Sequence, residues 1–161
     1  MSETTLAPSD LAAQSAELER LLRLRTGPFG MKLFEKVEDM EAIPKVRRPK
    51  SIHTTDQIVG QAARLGWTVG ITGDDLVGAQ CRAVVGLGAA DDEWRAAKSM
   101  VGVWYATPED ARAHQDAMHV PPRAAALAVS PLASGRLDPP DIVMFYATPG
   151  AMIYFINGLQ W

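Results

Sequence analysis

AAALAVSPL, residues 124–132, is apolar at nearly every position, and DIVMFYA, residues 141–147, has the same character. The loop ASGRLDPPD joins the two stretches. Strands that lack polar alternation are normally covered by protein on both faces, as in α/β sheets. We therefore predict that these two stretches are strands of a sheet with helices packed on both sides.

Three further segments are typical of strands: FGMKLFE at 29–35, WTVGIT at 67–72 and MVGVWY at 100–105. Helices are predicted from the leucine spacing of 9–25, from a Thr54/Gln57 capping box closed by Gly66, and from Thr107 followed by Pro108. A short helical turn is expected at Val37–Ala42, and the small-residue segment 76–94 is left open between helix and loop.

This interleaving predicts one α/β or α+β domain over residues 9–161, with a mixed β-sheet covered by helices. Residues 1–8 are predicted to be a disordered tail. With 161 residues the chain is long enough for a single core.

The composition excludes several function classes. A net charge of −3 and few, scattered aromatics give no reason to expect nucleic acid. The single cysteine fits a reducing cytoplasm, and the N-terminus carries no secretory signal. The uncharged run from Ile142 to Trp161 has the length of a membrane span, but the turn at 147–150 divides it into a strand and a helix. We therefore expect a cytoplasmic protein without a membrane anchor.

The last twelve residues, GAMIYFINGLQW, predict a helix that is apolar nearly all round. Such a helix needs more cover than one sheet face provides. We therefore expect a homo-oligomer or a second protein chain to cover it. The predicted interface residues are Met152, Ile153, Phe155, Ile156, Leu159 and Trp161.

The loop IPKVRRPKSIH, residues 43–53, is rich in cationic residues and contains no acidic one, and we call it the basic loop. Arg47 and Arg48 could fork onto the phosphate or carboxylate of a small anionic ligand, although a solvated connector would have the same composition. Lys32 would be an anion anchor if its strand face lines a pocket, and otherwise an exposed side chain.

Cys81 is followed by Arg82, and a cationic neighbour favours the reactive thiolate. Cys81 is therefore the candidate catalytic residue and Arg82 a candidate ligand contact. A small buried hydrophobe is the alternative for Cys81. The three histidines have no metal-ligand spacing, so no metal site is predicted. The sequence names no cofactor.

Four stretches in order resemble a known family: LLRLRTGPFGMKLFE (21–35), TTDQIVGQAARLG (54–66), GAQCRAVVGLG (78–88) and SPLASGRLDPPDIVMFYATPGAMIYF (130–155). Together they resemble the prokaryotic Domain of Unknown Function 169 over roughly residues 18–156. Members usually continue into a further C-terminal part, and they have a glutamine-containing turn where this chain has Gly150 and Ala151. The resemblance implies a fold and a bacterial or archaeal cytoplasmic setting, but no established reaction.

These observations lead to three functional hypotheses. The first is a small-molecule or cofactor-binding accessory protein that acts as a subunit of a homo- or hetero-oligomer. The second is a cysteine-dependent enzyme or redox protein that uses Cys81. The third is a structural partner subunit, or a truncated fragment without an activity of its own.

Overall fold

The structure is a computed structural model that describes residues 8–159. The predicted tail therefore lies outside the described residues, except for Pro8, which already belongs to the first helix. The helices are α1 Pro8–Leu22, α2 Val37–Glu41, α3 Thr55–Leu65, α4 Gly78–Ala83, α5 Asp92–Ala96, α6 Pro108–Ala117 and α7 Pro149–Leu159. The strands are β1 Phe29–Phe34, β2 Val69–Ile71, β3 Ala126–Pro131 and β4 Ile142–Met144.

The four strands form one sheet in the order β2-β3-β1-β4, and every pair of neighbours is antiparallel. In the register, Met31 of β1 lies opposite Val129 of β3 on one side and Ile142 of β4 on the other. Among residues 8–159, parallel pairing is confined to isolated bridges, such as that of Arg47 with Val69. The architecture is thus that of an α+β domain, and the sheet is antiparallel where a mixed one was expected.

The prediction of a strand at residues 100–105, one of five predicted strands, is wrong. Residues 100–105 do not join the sheet but form a tight turn, in which Gly102 has φ 81° and its N–H donates to the carbonyl of Tyr105 at 2.7 Å. The positive φ reverses the chain and brings Val101 opposite Tyr105, leaving Val103 and Trp104 exposed. A glycine that adopts this conformation at no steric cost explains the error.

The core lies on both faces of the sheet. On one face, which we call the α3 face, helix α3 buries Ile58, Val59 and Ala62 against β1, β2 and β3. On the opposite face, Met40 and Ile43 pack against Ala126 and Ala128 of β3. Strand β3 is therefore covered on both sides, as its apolar run predicts.

Helix ends follow the local signals. Thr54 and Gln57 form the predicted capping box of α3, and Gly66 ends the helix in the left-handed conformation. Thr107 caps α6, with Pro108 at its first position. The segment 76–94, for which helix and loop were both possible, contains both: α4 ends at Ala83, and a turn through Gly86 follows it.

Among the described residues, the chain from β4 to α7 contributes no fully buried residue from either element to the core of the sheet. All three residues of β4 are exposed, and no described side chain of α7 is buried. The predicted helix is confirmed, yet Ile153, Ile156 and Leu159 on it are exposed. Within residues 8–159, no helix is long and apolar enough to cross a membrane.

Candidate functional site

Two cavities lie side by side along α3 and share His53, Gln61 and Leu65 in their walls. One, of about 850 Å³, opens toward the loop after α1 and Tyr146. The other, of about 760 Å³, opens toward the basic loop. We refer to the two together as the basic groove. Each of the two cavities has a volume within the range of small-molecule sites.

Arg47 is placed in the groove by backbone pairing. Its N–H donates to the carbonyl of Thr68 at 2.9 Å, and its carbonyl accepts from the N–H of Gly70 at 2.9 Å. The guanidinium lies over the ring of Trp67, 4.2 Å from the centroid. A guanidinium stacked on an indole face keeps its N–H fork directed edgewise, where an anion can approach it.

Arg48 is held by acidic neighbours. Its guanidinium lies 2.7 Å from a carboxylate oxygen of Asp75 and 3.1 Å from one of Glu41, and it also donates to the hydroxyl of Thr72. These contacts fix the basic loop against the turn that follows β2. Arg48 therefore lines the groove with its charge already paired.

Helix α3 supplies a polar wall that the sequence analysis missed. Gln57, Gln61 and Arg64 line the groove at the spacing of one helix face, while Val59 of the same helix faces the core. The polar residues at positions i, i+4 and i+7 of this helix were the sequence pattern that could have predicted the wall.

The groove carries more positive than negative charge. In the described chain, no carboxylate lies within 4.0 Å of the charged groups of Arg25, Arg47, Lys50 or Arg64. Asp56 is the acid among the lining residues. Cations that lack a partner at the rim of a concave site attract anions.

Lys32 is not part of this groove. It alternates with Met31 along β1 and lies opposite Ala128, on the sheet face away from α3. Its ammonium group donates to the backbone carbonyl of Asp138 at 3.3 Å. The structure thus gives Lys32 a contact with the loop before β4.

Cys81 and Arg82 also lie apart from the groove, on α4. The half-buried Cys81 packs against the core of the α3 face, and its carbonyl accepts from the hydroxyl of Thr55 at 3.3 Å. The Arg82 guanidinium donates to the carbonyl of Leu76 at 3.2 Å. No group of three or more His, Cys, Asp or Glu that could hold a metal ion occurs among residues 8–159.

A second polar cluster is internally satisfied. The buried hydroxyls of Thr68 and Ser130 are 2.7 Å apart, and Ser134 lies 2.9 Å from Ser130. Arg136 donates to the Thr68 hydroxyl at 2.8 Å. Because each polar group has a partner, this cluster serves to join β2, β3 and the turn after β3.

Five of the six predicted interface residues lie on α7. On α7, Ile153, Ile156 and Leu159 are exposed, and Met152 and Phe155 are half-buried. The Phe155 ring packs edge-on against Phe145 at 4.9 Å between centroids. Trp161 lies outside the described residues.

An antiparallel α+β domain with a basic groove along one helix defines the general class of this protein. The profile of Domain of Unknown Function 169, described as uncharacterised ArCR, matches residues 17–161, so the chain belongs to this family. No curated protein matches the chain. No solved structure matches it either.

Proposed function

We propose that this chain is a binding subunit that holds a small anionic molecule in the basic groove. The observation that supports this proposal is the convergence of Arg25, Arg47, Lys50 and Arg64 on cavities that meet at His53 and Gln61. These cations come from three separate parts of the sequence. Their clustering stands out in a chain whose net charge is −3.

The ligand is expected to carry phosphate or carboxylate groups. The stacked Arg47 offers two parallel N–H donors, a geometry that matches both groups. Lys50 and Arg64 add charge without competing acids, and the amides of Gln57 and Gln61 can bind the polar remainder of the ligand. Arg48 orients the loop through its own ion pairs.

Inorganic pyrophosphate is a suitable probe, with isothermal titration calorimetry as the measurement. We expect saturable binding that weakens as salt is raised, since exposed charges are screened. Replacing Lys50 and Arg64 together with Ala should weaken binding at least tenfold, because hydrogen bonds from charged donors contribute about 1.5–3 kcal/mol each. Arg123→Ala, which removes an exposed cation outside the groove, is the matched control.

The proposal fails if pyrophosphate does not bind at low salt. It also fails if the Lys50→Ala, Arg64→Ala double variant and Arg123→Ala lose affinity equally. Circular dichroism of each variant tests that the fold is retained, so that lost binding reports on the groove.

We further propose that the subunit pairs with a second copy of itself through α7. Ile153 and Leu159 are 59% and 72% exposed on a helix without a buried residue among those described. The segment 142–161 carries no charged residue, so two identical acidic chains can meet there without repulsion. Contact between two such faces removes apolar surface from water on both chains.

Light scattering after gel filtration over a range of concentrations tests this pairing. We expect the mass of a dimer, which Leu159→Glu shifts to that of a monomer by burying an unpaired charge at the contact. Val103→Glu alters a residue that is equally exposed but lies on the turn at 100–105, and should leave the mass unchanged. A monomer at all concentrations would contradict the proposal.

The cysteine-dependent alternative gains less support from the geometry, because the Arg82 guanidinium is engaged by the Leu76 carbonyl. Alkylation of Cys81 in native buffer tests it directly. If Cys81 is labelled only after denaturation, its role is structural. A cytoplasmic setting, as the single cysteine suggests, is part of the proposed function.

A further inference from the structure

A separate apolar cavity of about 240 Å³ lies between the sheet and α3, on the opposite side of this helix from the basic groove. Met31 of β1 and Leu127 of β3 form its floor, and Val59 of α3 forms one wall. Ile142 and Met144 of β4 stand at its open side. The cavity therefore connects the packed core with the exposed edge of the sheet.

The turn after α4 provides the remaining wall. Gly86 has φ 76°, and a Cβ added there would lie 2.6 Å from the carbonyl oxygen of Pro122. This close approach brings Val84 and Val85 next to Pro121 in the lining of the cavity. Because the contact is between backbone segments, the wall is preformed.

The polar groups at this cavity already have partners within the protein. The hydroxyl of Thr55 donates to the Cys81 carbonyl at 3.3 Å. A carboxylate oxygen of Asp141 accepts from the N–H of Leu33 at 2.7 Å. The rest of the lining is apolar, so water inside would find few hydrogen-bond partners, and an apolar group that displaces poorly ordered water gains affinity.

We infer that this cavity binds an uncharged apolar molecule, or the apolar end of a longer one. A volume of about 240 Å³ corresponds to about eight groups of water size at roughly 30 Å³ each. The chemical class is thus an alkylbenzene or a short hydrocarbon chain. A longer chain would leave between Val84 and Met144, whose side chains are partly exposed at the mouth.

p-Xylene, with eight carbon atoms, is the probe, and the methyl resonances of ¹³C-methyl-methionine are the measurement. Met31 and Met144 line the cavity, whereas Met40 is buried in the core on the other face of the sheet. We expect saturable shifts of the Met31 and Met144 signals and none of Met40. Shifts that rise linearly at all three methionines would overturn the inference.

Two variants locate the binding. Val84→Trp, at a residue 41% exposed at the mouth, should block entry and weaken p-xylene binding at least tenfold. Val77→Trp, at a residue 47% exposed away from the cavity, is the matched control and should bind as the wild type does. Val59→Phe fills the cavity from within and should also remove binding. Equal affinity of the Val84→Trp and Val77→Trp variants would overturn the inference.

Dilution of the protein distinguishes a competing occupant. If the Met144 signal moves on dilution and does not respond to p-xylene, a second copy of the chain covers the mouth, and the inference is wrong. If the p-xylene affinity is the same at low and high protein concentration, the cavity binds the small molecule independently of assembly.

Discussion

Strands β3 and β4 both come from apolar stretches of the sequence but have different surroundings. From Ala126 to Ser130, β3 is buried at every position, whereas Ile142, Val143 and Met144 of β4 are all exposed. Strand β3 is covered by helices on both faces, whereas β4 is an edge strand of the described sheet without such cover. Edge position alone does not explain the exposure, because β2 is also an edge strand and is buried at all three positions. An apolar run thus indicates a strand but does not indicate how many elements cover it.

The neighbouring elements extend this contrast. The β3 region has α3 on one face and α2 on the other, so both sets of side chains are enclosed. Beyond β4 the chain continues into α7, which contacts α1 and leaves most of its large apolar residues exposed. Most of the stabilising burial therefore lies around β3, and the β4–α7 region carries exposed apolar surface.

The largest expected effect comes from a matched pair of valine substitutions. Val129→Ala removes two methyl groups from a fully buried site and should lower the free energy of unfolding by about 2.5 kcal/mol. Val143 is 45% exposed, so Val143→Ala should lower it by about 1 kcal/mol or less. Urea denaturation measures both. Equal losses would mean that β4 is as well covered as β3.

Glycines provide a second comparison. A Cβ at Gly70 of β2 would collide with the buried Met40 sulfur and lie 2.8 Å from Val46 Cγ2, so Gly70→Ala should destabilise the fold by about 1–2 kcal/mol. Gly158 of α7 has no neighbouring atom within 4 Å of an added Cβ. Gly158→Ala should therefore stabilise the fold by about 0.5 kcal/mol through helix propensity.

Denaturation midpoints of the two glycine variants test their opposite signs. Combining Gly70→Ala with Met40→Ala should destabilise less than the sum of the single changes, since Met40 occupies the space above Gly70. Strictly additive losses would show that the contact is not responsible. A loss of stability in Gly158→Ala would mean that α7 is packed more closely than its exposure indicates.

The features predicted correctly from the sequence are those with local causes. The capping box of α3, the Thr107 cap of α6 and the start of α7 at Pro149 each depend on residues within one turn. Strand order and the exposure of β4 depend on pairing across more than a hundred residues, as between Met31 and Ile142. No local pattern in a single sequence records that pairing.

The residues of the basic groove could likewise be predicted only where they lie close together in the sequence. Arg47 and Arg48 were identified because they are adjacent in one acid-free loop. Their neighbours Arg25 and Tyr146 come from the loop after α1 and from the chain beyond β4. Only the fold brings these segments to α3, so the sequence could suggest an anion-binding loop but not the site around it.

The smallest expected effect concerns an exposed ion pair on α1, the helix that contacts both the turn after β3 and α7. On its exposed side, the Arg20 guanidinium donates to the Glu17 carboxylate at 2.8 Å, and this hydrogen bond lowers the pKa of Glu17. A lowered pKa in the folded state stabilises the fold above the unfolded pKa, and the contribution is lost as the pH falls through the folded value. Because both side chains are exposed, the effect on unfolding should be too small to resolve.

The carboxyl chemical shift of Glu17 provides a more sensitive measurement than stability. In Arg20→Gln the pKa of Glu17 should rise toward its ordinary value, because the charged donor is gone. Raising the salt concentration of the wild type should move the pKa partly in the same direction by screening the pair. Arg112→Gln changes another exposed helical arginine, one that neighbours Asp92 and Asp116, and should leave the Glu17 titration unchanged. If the pKa of Glu17 does not change in Arg20→Gln, the pair does not form in solution, and α1 depends entirely on its packed side for stability.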